Sequence, residues 1–518
     1  MTRTLPSPVA AGPDERFGPR LWGLLLVLAG NMLIDALEVS VAVVALPAIG
    51  TDLGVAPTVT QWAMTGFAAG FGGLLLFGAR VVSLLGRRPV YLAALLAFAA
   101  ASVLSALAQD PWLLLTTRLI KGFCAALTAP TGLAIITGTF PEGRPRSRAV
   151  SVYTLFGAGG FTAGLVLSGW LTEASWRWAF AFPAPVVLVL LGFGLSLIPR
   201  EAPGAPKGDG QSLPRGGAES APGGRGELRD QPPRRRTRTT VQRYDIPGAL
   251  TLLGALLALV QGITQLPGHG WSDPRAVGPL CGAVVLLVVF CWIERRSAEP
   301  LLKVGPSLRS NPALLRSAAG AACLNGSYLG LLFVLTYQTQ TLAAWSPLHA
   351  ALALVPAAAP PALTALASGR LVTRFGAPRL IVAGAACAFA GCLLQLRPDP
   401  WPLDYPGGIL PTLLLVGAGF VLSFAALNMQ AMSRLAPADR LTGSGLYQTA
   451  VQLAAVITVA LVAALLAAQA PAPGAGPAAA AAACRPALTL VAVLGFLGLL
   501  VGLTGLIRTP PSSLHDGE

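Results

Sequence analysis

The feature that most constrains this chain is the recurrence of apolar runs of about twenty residues, each long enough to cross a bilayer as one helix. They fall at 22–46, 58–79, 89–108, 112–137, 150–172 and 177–198, then, after a polar break, at 246–266, 276–293, 314–338, 348–372, 379–396, 407–432, 441–468 and 487–507. With 54% hydrophobic and 11% charged residues, the composition excludes a soluble domain pair. The reading is an all-α polytopic membrane protein. The net charge of +14 does not point to nucleic acid, because the basic residues sit in short loops and one linker. Of 36 Lys and Arg, thirty fall on one side of the fourteen spans, only Arg177, Arg275, Arg397 and Arg485 on the other, and Arg118 and Lys121 inside. The positive-inside rule therefore places both termini in the cytoplasm.

Residues 21–47, LWGLLLVLAGNMLIDALEVSVAVVALP, are exceptional in carrying two acids, Asp35 and Glu38, within a span. A carboxylate at that depth is costly by a few kcal/mol and is by default functional, with a partner to be named. The interior bases, Arg118 and Lys121, both lie in the fourth span. At about 1.5 Å per residue, Glu38 is about 13 Å from the outer end of its helix, Arg118 about 9 Å and Lys121 about 13 Å, so the charges are expected at similar depth. Desolvation and mutual repulsion of the acids oppose the pull of the bases, the balance a proton-coupling site needs, and the two acids should titrate as one unit. The competing structural explanation is a permanently satisfied ion cluster that only fixes packing.

The seven cysteines are scattered without a C-x-x-C pair, and the three histidines lie in loops or the tail, so metal or redox chemistry has no visible equipment. No G-x-x-x-x-G-K-[ST] phosphate loop occurs, which argues against nucleotide drive. We expect no cofactor beyond a proton gradient, no enzymatic activity and no obligate protein partner. The N-terminal run is too long for a secretory signal and is expected to be retained. Residues 200–243, rich in Pro, Gly and Arg, read as a disordered basic cytoplasmic linker. The Ala, Pro and Gly segment 470–486 is of low complexity and is taken as a loop.

An internal repeat is visible at an offset of 290 residues. Ala79, Arg80, Ser83 and Gly86 after the second span correspond to Gly369, Arg370, Thr373 and Gly376 after the tenth, a short turn with a small residue first, then a basic one, then glycine; Arg87 and Arg88 follow the first copy and Arg374 lies within the second. Two similar halves around a central site suit alternating access. Tails are expected at 1–20 and 509–518, an N-terminal six-helix bundle at 21–199, two inserted helices at 244–300 and a C-terminal bundle at 301–508. In the fifth span Gly160, Gly164 and Ser168 recur every four residues, with Gly169 next, a spacing that serves close helix packing or gating. Polar residues within later spans, Tyr337, Gln338, Gln340, Asn428, Gln430, Gln448 and Gln452, are candidate linings of a substrate cavity.

With these motifs in order, the sequence resembles the major facilitator superfamily, and within it the fourteen-helix drug:proton antiporters. The resemblance also rests on Ala45-Leu46-Pro47, Arg118-Leu119-Ile120-Lys121-Gly122, Trp176-Arg177-Trp178-Ala179-Phe180 and Asp245-Ile246-Pro247-Gly248. It implies two six-helix bundles with two inserted helices, neighbouring first and fourth helices, and export of small amphipathic compounds from the cell by proton antiport, in contact with protons and the lipid bilayer. Glu38 occupies the family's acidic position and is the better candidate for the proton carrier, while Asp35 is additional and tunes it or pairs with a base. Departures are Ser83 where the family has an acid, Ala79 for a glycine, and Leu165 for a proline. An importer or facilitator on the same fold and a non-transporting sensor or scaffold are the alternatives.

Overall fold

The computed structural model describes residues 17–200, 245–297, 301, 311–364, 367–397, 401–436, 439–469 and 476–507. The expected linker at 200–243 and the tails at 1–20 and 509–518 lie almost entirely outside them. Among the described residues, fourteen helices are long and apolar enough to span a membrane: α1 (Pro19–Leu53), α2 (Pro57–Leu85), α3 (Arg87–Ala106), α4 (Pro111–Thr139), α5 (Arg144–Ala174), α6 (Trp176–Leu197), α7 (Ile246–His269), α8 (Pro274–Arg296), α9 (Pro312–Leu342), α10 (Pro347–Thr364), α11 (Ala377–Leu394), α12 (Tyr405–Met432), α13 (Thr442–Ala468) and α14 (Pro477–Leu506). The chain is a multi-pass membrane protein.

Local sequence explains many of the boundaries. Pro19, Pro57, Pro111, Pro274, Pro312 and Pro477 open their helices, where the missing N–H has no helical acceptor to lose. The side chains of Asp110, Asp273 and Asn311 accept from the first free backbone N–H groups of α4, α8 and α9. Two expected boundaries differ. The run expected to span 348–372 is helical as α10 and then as a separate short helix, Ser368–Phe375, which carries Arg370 and Arg374. The alanines of Pro477–Ala483, taken as loop, form a helix at the start of α14, in keeping with alanine's high helix propensity.

The repeat is also a repeat of backbone. Gly86 (φ 94°, ψ 154°) and Gly376 (φ 80°, ψ 139°) take the same left-sided conformation, which requires glycine at both turns. Ser83 Oγ donates to the Arg80 carbonyl at 2.8 Å, and Thr373 Oγ1 donates to the Arg370 carbonyl at 2.9 Å. The hydroxyl at the position of the family's acid thus folds back on its own helix in both halves.

The first half, α1–α6, and the second, α9–α14, meet along two seams. At one, α5 packs on α10: Thr162 Oγ1 donates to the Ala358 carbonyl at 2.8 Å, and a Cβ at Gly169 would stand 2.5 Å from that of Ala351. At the other, α2 packs on α13, with Gly72 against Gln452. Helix α7 covers this second seam, burying Leu256 and Val260 in one apolar cluster with Ala69 of α2 and Val456 and Ala460 of α13.

Candidate functional site

The site is built where α1 and α4 run antiparallel through the first half. Glu38 and the two bases of α4 are all 0% exposed. The Glu38 carboxylate is paired with both the Arg118 guanidinium and the Lys121 ammonium. Arg118 also donates to the Glu38 carbonyl at 3.0 Å and to the Ala63 carbonyl of α2 at 2.5 Å, so one guanidinium ties three helices. Aromatic faces complete the cage: Phe67 and Phe180 lie 4.9 and 5.4 Å from the Arg118 guanidinium carbon, and Phe98 and Phe180 lie 5.0 and 5.8 Å from the Lys121 nitrogen. Ring faces stabilise a desolvated cation by about 2 kcal/mol or more. Close approach of α4 to α2 depends on Gly122, where a Cβ would overlap the Phe67 carbonyl.

Asp35 departs from the expectation that the four charges meet. Its side chain is buried, at 5% exposure, yet it touches neither base. One oxygen, Oδ2, accepts from Asn31 Nδ2 and from Thr128 Oγ1, each at 3.0 Å, while Oδ1 has no partner among the described residues. The reason is register. In an antiparallel pair, one turn back along α1 from Glu38 lies opposite residues further along α4, and Thr128 is seven residues, about 10 Å of helix, beyond Lys121. Asn31 and Thr128 escaped the sequence reading. Their signal was there in the spacing: Asn31 precedes Asp35 by one turn, and Thr128 follows Lys121 by two turns on the same face.

The other expected residues divide between packing and openness. Gly160, Gly164 and Ser168 seat α5 on α1: a Cβ at Gly160 would lie 2.4 Å from the Leu33 carbonyl, one at Gly164 2.2 Å from Ser40 Oγ, and Ser168 Oγ donates to the Val41 carbonyl at 3.1 Å. Gly169 faces the opposite half instead. In the turn after α2, Arg87 donates to the Ala134 carbonyl at 3.3 Å and Arg88 to the Leu195 carbonyl at 2.6 Å, while Ser83, Gly369 and Arg370 are exposed. Gln430 accepts from Ser317 at 3.1 Å, and Gln340 crosses between the halves to the Val44 carbonyl at 3.0 Å. Gln338 is buried with Oε1 lacking a partner among the described residues, Tyr337 and Gln448 are half-buried, and Asn428 is exposed. The tryptophan-rich start of α6 also finds a use: Trp176 Nε1 and Arg177 both bond Asp52 at the end of α1, at 3.0 and 2.5 Å, and hold Phe180 beneath the bases.

This arrangement buries a paired acid and an acid without a counter-charge one turn apart, in a two-half helical fold. It contains no nucleophile and base in contact, and no cluster of metal-binding side chains among the described residues.

Comparisons with known proteins agree with that architecture. The sequence profile of the Major Facilitator Superfamily matches residues 28–459. The chain is 33% identical over 462 residues to the puromycin resistance protein pur8 of Streptomyces alboniger, covering 88% of this chain and 83% of that protein. It is 30% identical over 447 residues to the cephamycin export protein CmcT of Amycolatopsis lactamdurans, covering 85% and 83%. In three dimensions it superposes on the inward-open xylose transporter XylE of E. coli in its partially occluded form with a TM-score of 0.58, 14% identity and coverage of 95% and 98%. A profile spanning most of the chain, relatives named for resistance and export, and a shared two-half helical fold lead to one conclusion: this chain belongs to the Major Facilitator Superfamily and is a membrane transporter, not an enzyme.

Proposed function

We propose that this transporter exports small amphipathic organic compounds, antibiotics among them, across the cell membrane in exchange for protons, with both termini in the cytoplasm. The export reading is supported by relatives named for puromycin resistance and cephamycin export. The coupling reading rests on Asp35, a buried carboxyl that, among the described residues, has one oxygen unpartnered and no cation in contact. An ionised carboxylate buried without a counter-charge loses hydration that nothing replaces, so taking up a proton relieves its cost. Glu38, by contrast, has two bases to offset its charge and serves to brace α1 against α2 and α4. The role of proton carrier thereby passes from Glu38, the better candidate in the sequence, to Asp35. A proton arriving from outside neutralises Asp35. Binding of a compound from the cytoplasmic side expels it as the halves rock about the α5–α10 and α2–α13 seams.

The test is transport by the purified chain in proteoliposomes with an imposed pH difference, reading both puromycin movement and proton flux. The wild type should move protons when puromycin is added, and Asp35→Asn should bind puromycin yet lose the pH drive. Accumulation against a gradient by Asp35→Asn, at the wild-type dependence on pH difference, would overturn the assignment.

A further inference from the structure

Two buried hydroxyls of the first half have no place in the coupling scheme so far. Tyr91 of α3 is 0% exposed and Tyr153 of α5 is 7% exposed. Both belong to an apolar cluster, with Ile34, Leu95, Leu127 and Ile136, whose members all come from the first half. The Tyr153 hydroxyl donates to the Ala129 carbonyl of α4 at 2.8 Å, next in the chain to the Thr128 that bonds Asp35. Gly132, one turn further, leaves room for it: a Cβ there would stand 3.1 Å from the Tyr153 hydroxyl. The Tyr91 hydroxyl has no hydrogen-bond partner among the described residues, and neither has Asp35 Oδ1. Tyr91 lies within electrostatic reach of both Tyr153 and the Asp35 carboxyl, and Tyr153 within reach of Asp35.

These groups follow α4 toward the arginine-rich face. Beyond Thr128 and Ala129, the Ala134 carbonyl accepts from Arg87 at 3.3 Å, and a Cβ at Gly138 would stand 3.2 Å from an Arg87 nitrogen. Arg87 opens α3, is exposed, and precedes Tyr91 by one turn. From Thr128 to Gly138 the helix advances about 15 Å. Buried polar groups are as a rule hydrogen-bonded, to protein or to water. A phenylalanine would fill the place of Tyr91 without leaving a buried hydroxyl to satisfy, so packing alone gives no reason for the oxygen. An acceptor at Asp35 and a hydroxyl at Tyr91, both open on the way from a buried acid to an exposed face, are the parts of a proton relay.

We propose that Tyr91 and Tyr153 relay the proton between Asp35 and the arginine-rich face through the interior of the first half, apart from the seams where the halves meet. The proposal rests on the coupling reading and adds the route its proton takes. Protonated Asp35 gives its hydrogen, through water, to the Tyr91 oxygen, and Tyr91 passes its own hydrogen to the next water toward Arg87. The hydroxyl ends neutral as it began, and one proton has moved from the carboxyl to the aqueous face. Buried water is held where two to four polar partners converge, and Asp35 Oδ1, Tyr91 and Tyr153 supply them. The other ionisable groups about Asp35 are Glu38 on its own helix and Cys124 on α4, while Arg118 and Lys121 are engaged by Glu38.

The test uses the full-length chain in proteoliposomes under an imposed pH difference, with a pH-sensitive dye reading proton flux on addition of puromycin and equilibrium dialysis reading puromycin binding. Tyr91→Phe keeps the ring, so melting temperature and puromycin binding should stay at wild-type values. Its proton flux should fall about 100-fold, the lower end of what a positioned proton-transfer group contributes. The midpoint of the pH dependence should not move, because a relay sets a rate and leaves the affinity of Asp35 for its proton alone. Tyr153→Phe should slow the flux in the same sense. Tyr447→Phe is the matched control, since it removes from α13 of the second half another buried hydroxyl without a partner among the described residues, and its flux should equal wild type. Wild-type flux in folded Tyr91→Phe, an equal fall in Tyr447→Phe, or a shifted midpoint would overturn the relay. Asp35→Asn, measured alongside, separates the two readings. Flux lost in Asp35→Asn but intact in Tyr91→Phe overturns the relay alone, whereas flux intact in Asp35→Asn but slowed in Tyr91→Phe supports a route through the tyrosines and overturns Asp35 as the carrier.

Discussion

The two halves of this transporter share a backbone plan and differ in what they bury. At the turns the likeness is close, with Gly86 and Gly376 in one conformation and Ser83 and Thr373 making the same local bond. In the interior it ends. The first half encloses Asp35, Glu38, Arg118 and Lys121, while the second encloses Tyr328, Phe420 and Phe424 along its α9–α12 contact. A repeated fold therefore supplies two similar halves, and they diverge in the side chains they bury, ionisable in the first and aromatic in the second.

Breaking the charge cluster should have the largest effect on this contrast. Arg118→Ala leaves Glu38 buried with one base and frees the Ala63 carbonyl, so stability should fall by about 3–5 kcal/mol, read as thermal unfolding in nanodiscs. A triple variant, Glu38→Leu with Arg118→Met and Lys121→Met, should recover much of that stability, and recovery with pH-driven transport retained would separate bracing by Glu38 from proton uptake by Asp35. Next comes the contact that seats α5 on α1: Gly164→Ala places a Cβ 2.2 Å from Ser40 Oγ and 2.9 Å from the Leu37 Cα, an overpacking expected to cost about 1–3 kcal/mol. Gly159→Ala, with nothing within 4 Å, is the matched control and should be close to neutral. Asp35→Asn should change stability by less than about 1 kcal/mol, because an amide still engages Asn31 and Thr128 and no ion pair is lost, while abolishing proton movement on addition of puromycin. A large loss of stability in this variant would mean that Asp35 braces the bundle as Glu38 does. The smallest effect tests the likeness itself: Ser83→Ala and Thr373→Ala should each fall within about 0.5 kcal/mol, as exposed substitutions do, and by equal amounts.

Much of the site was legible because membrane insertion is severe with charge. Interior acids and bases are so costly that their presence in the first and fourth spans marked both helices, and counting residues from the helix ends placed Glu38 level with Arg118 and Lys121. The count treated Asp35 as a fourth member of the cluster, and there it failed. Depth alone does not say which residue across an antiparallel contact a side chain meets, and one turn of offset on α1 exchanged a lysine for Thr128. The fifth-span small residues were legible as a motif with two meanings, and the backbone distances at Gly160 and Gly164 show close packing on α1. The cavity list was the least legible part. A glutamine in an apolar span looks the same whether it lines a cleft or, like Gln430 and Gln340, satisfies a neighbouring helix. Aromatic residues such as Phe420 carry no pattern that sets them apart from lipid-facing ones.

By itself the sequence determined the number of spans, the asymmetry of the loops, the repeat and the helices that carry buried charge. Each follows from a cost that acts on a residue wherever its neighbours lie: polar backbone in lipid, charge in lipid, or positive φ without glycine. Tertiary structure decided the partners: that Glu38 holds both bases, that Asp35 keeps an open oxygen, and that three aromatic helices meet between the halves. Those outcomes depend on rotation and register between helices far apart in the chain. They are set by the fit of whole surfaces, to which each residue contributes only a part.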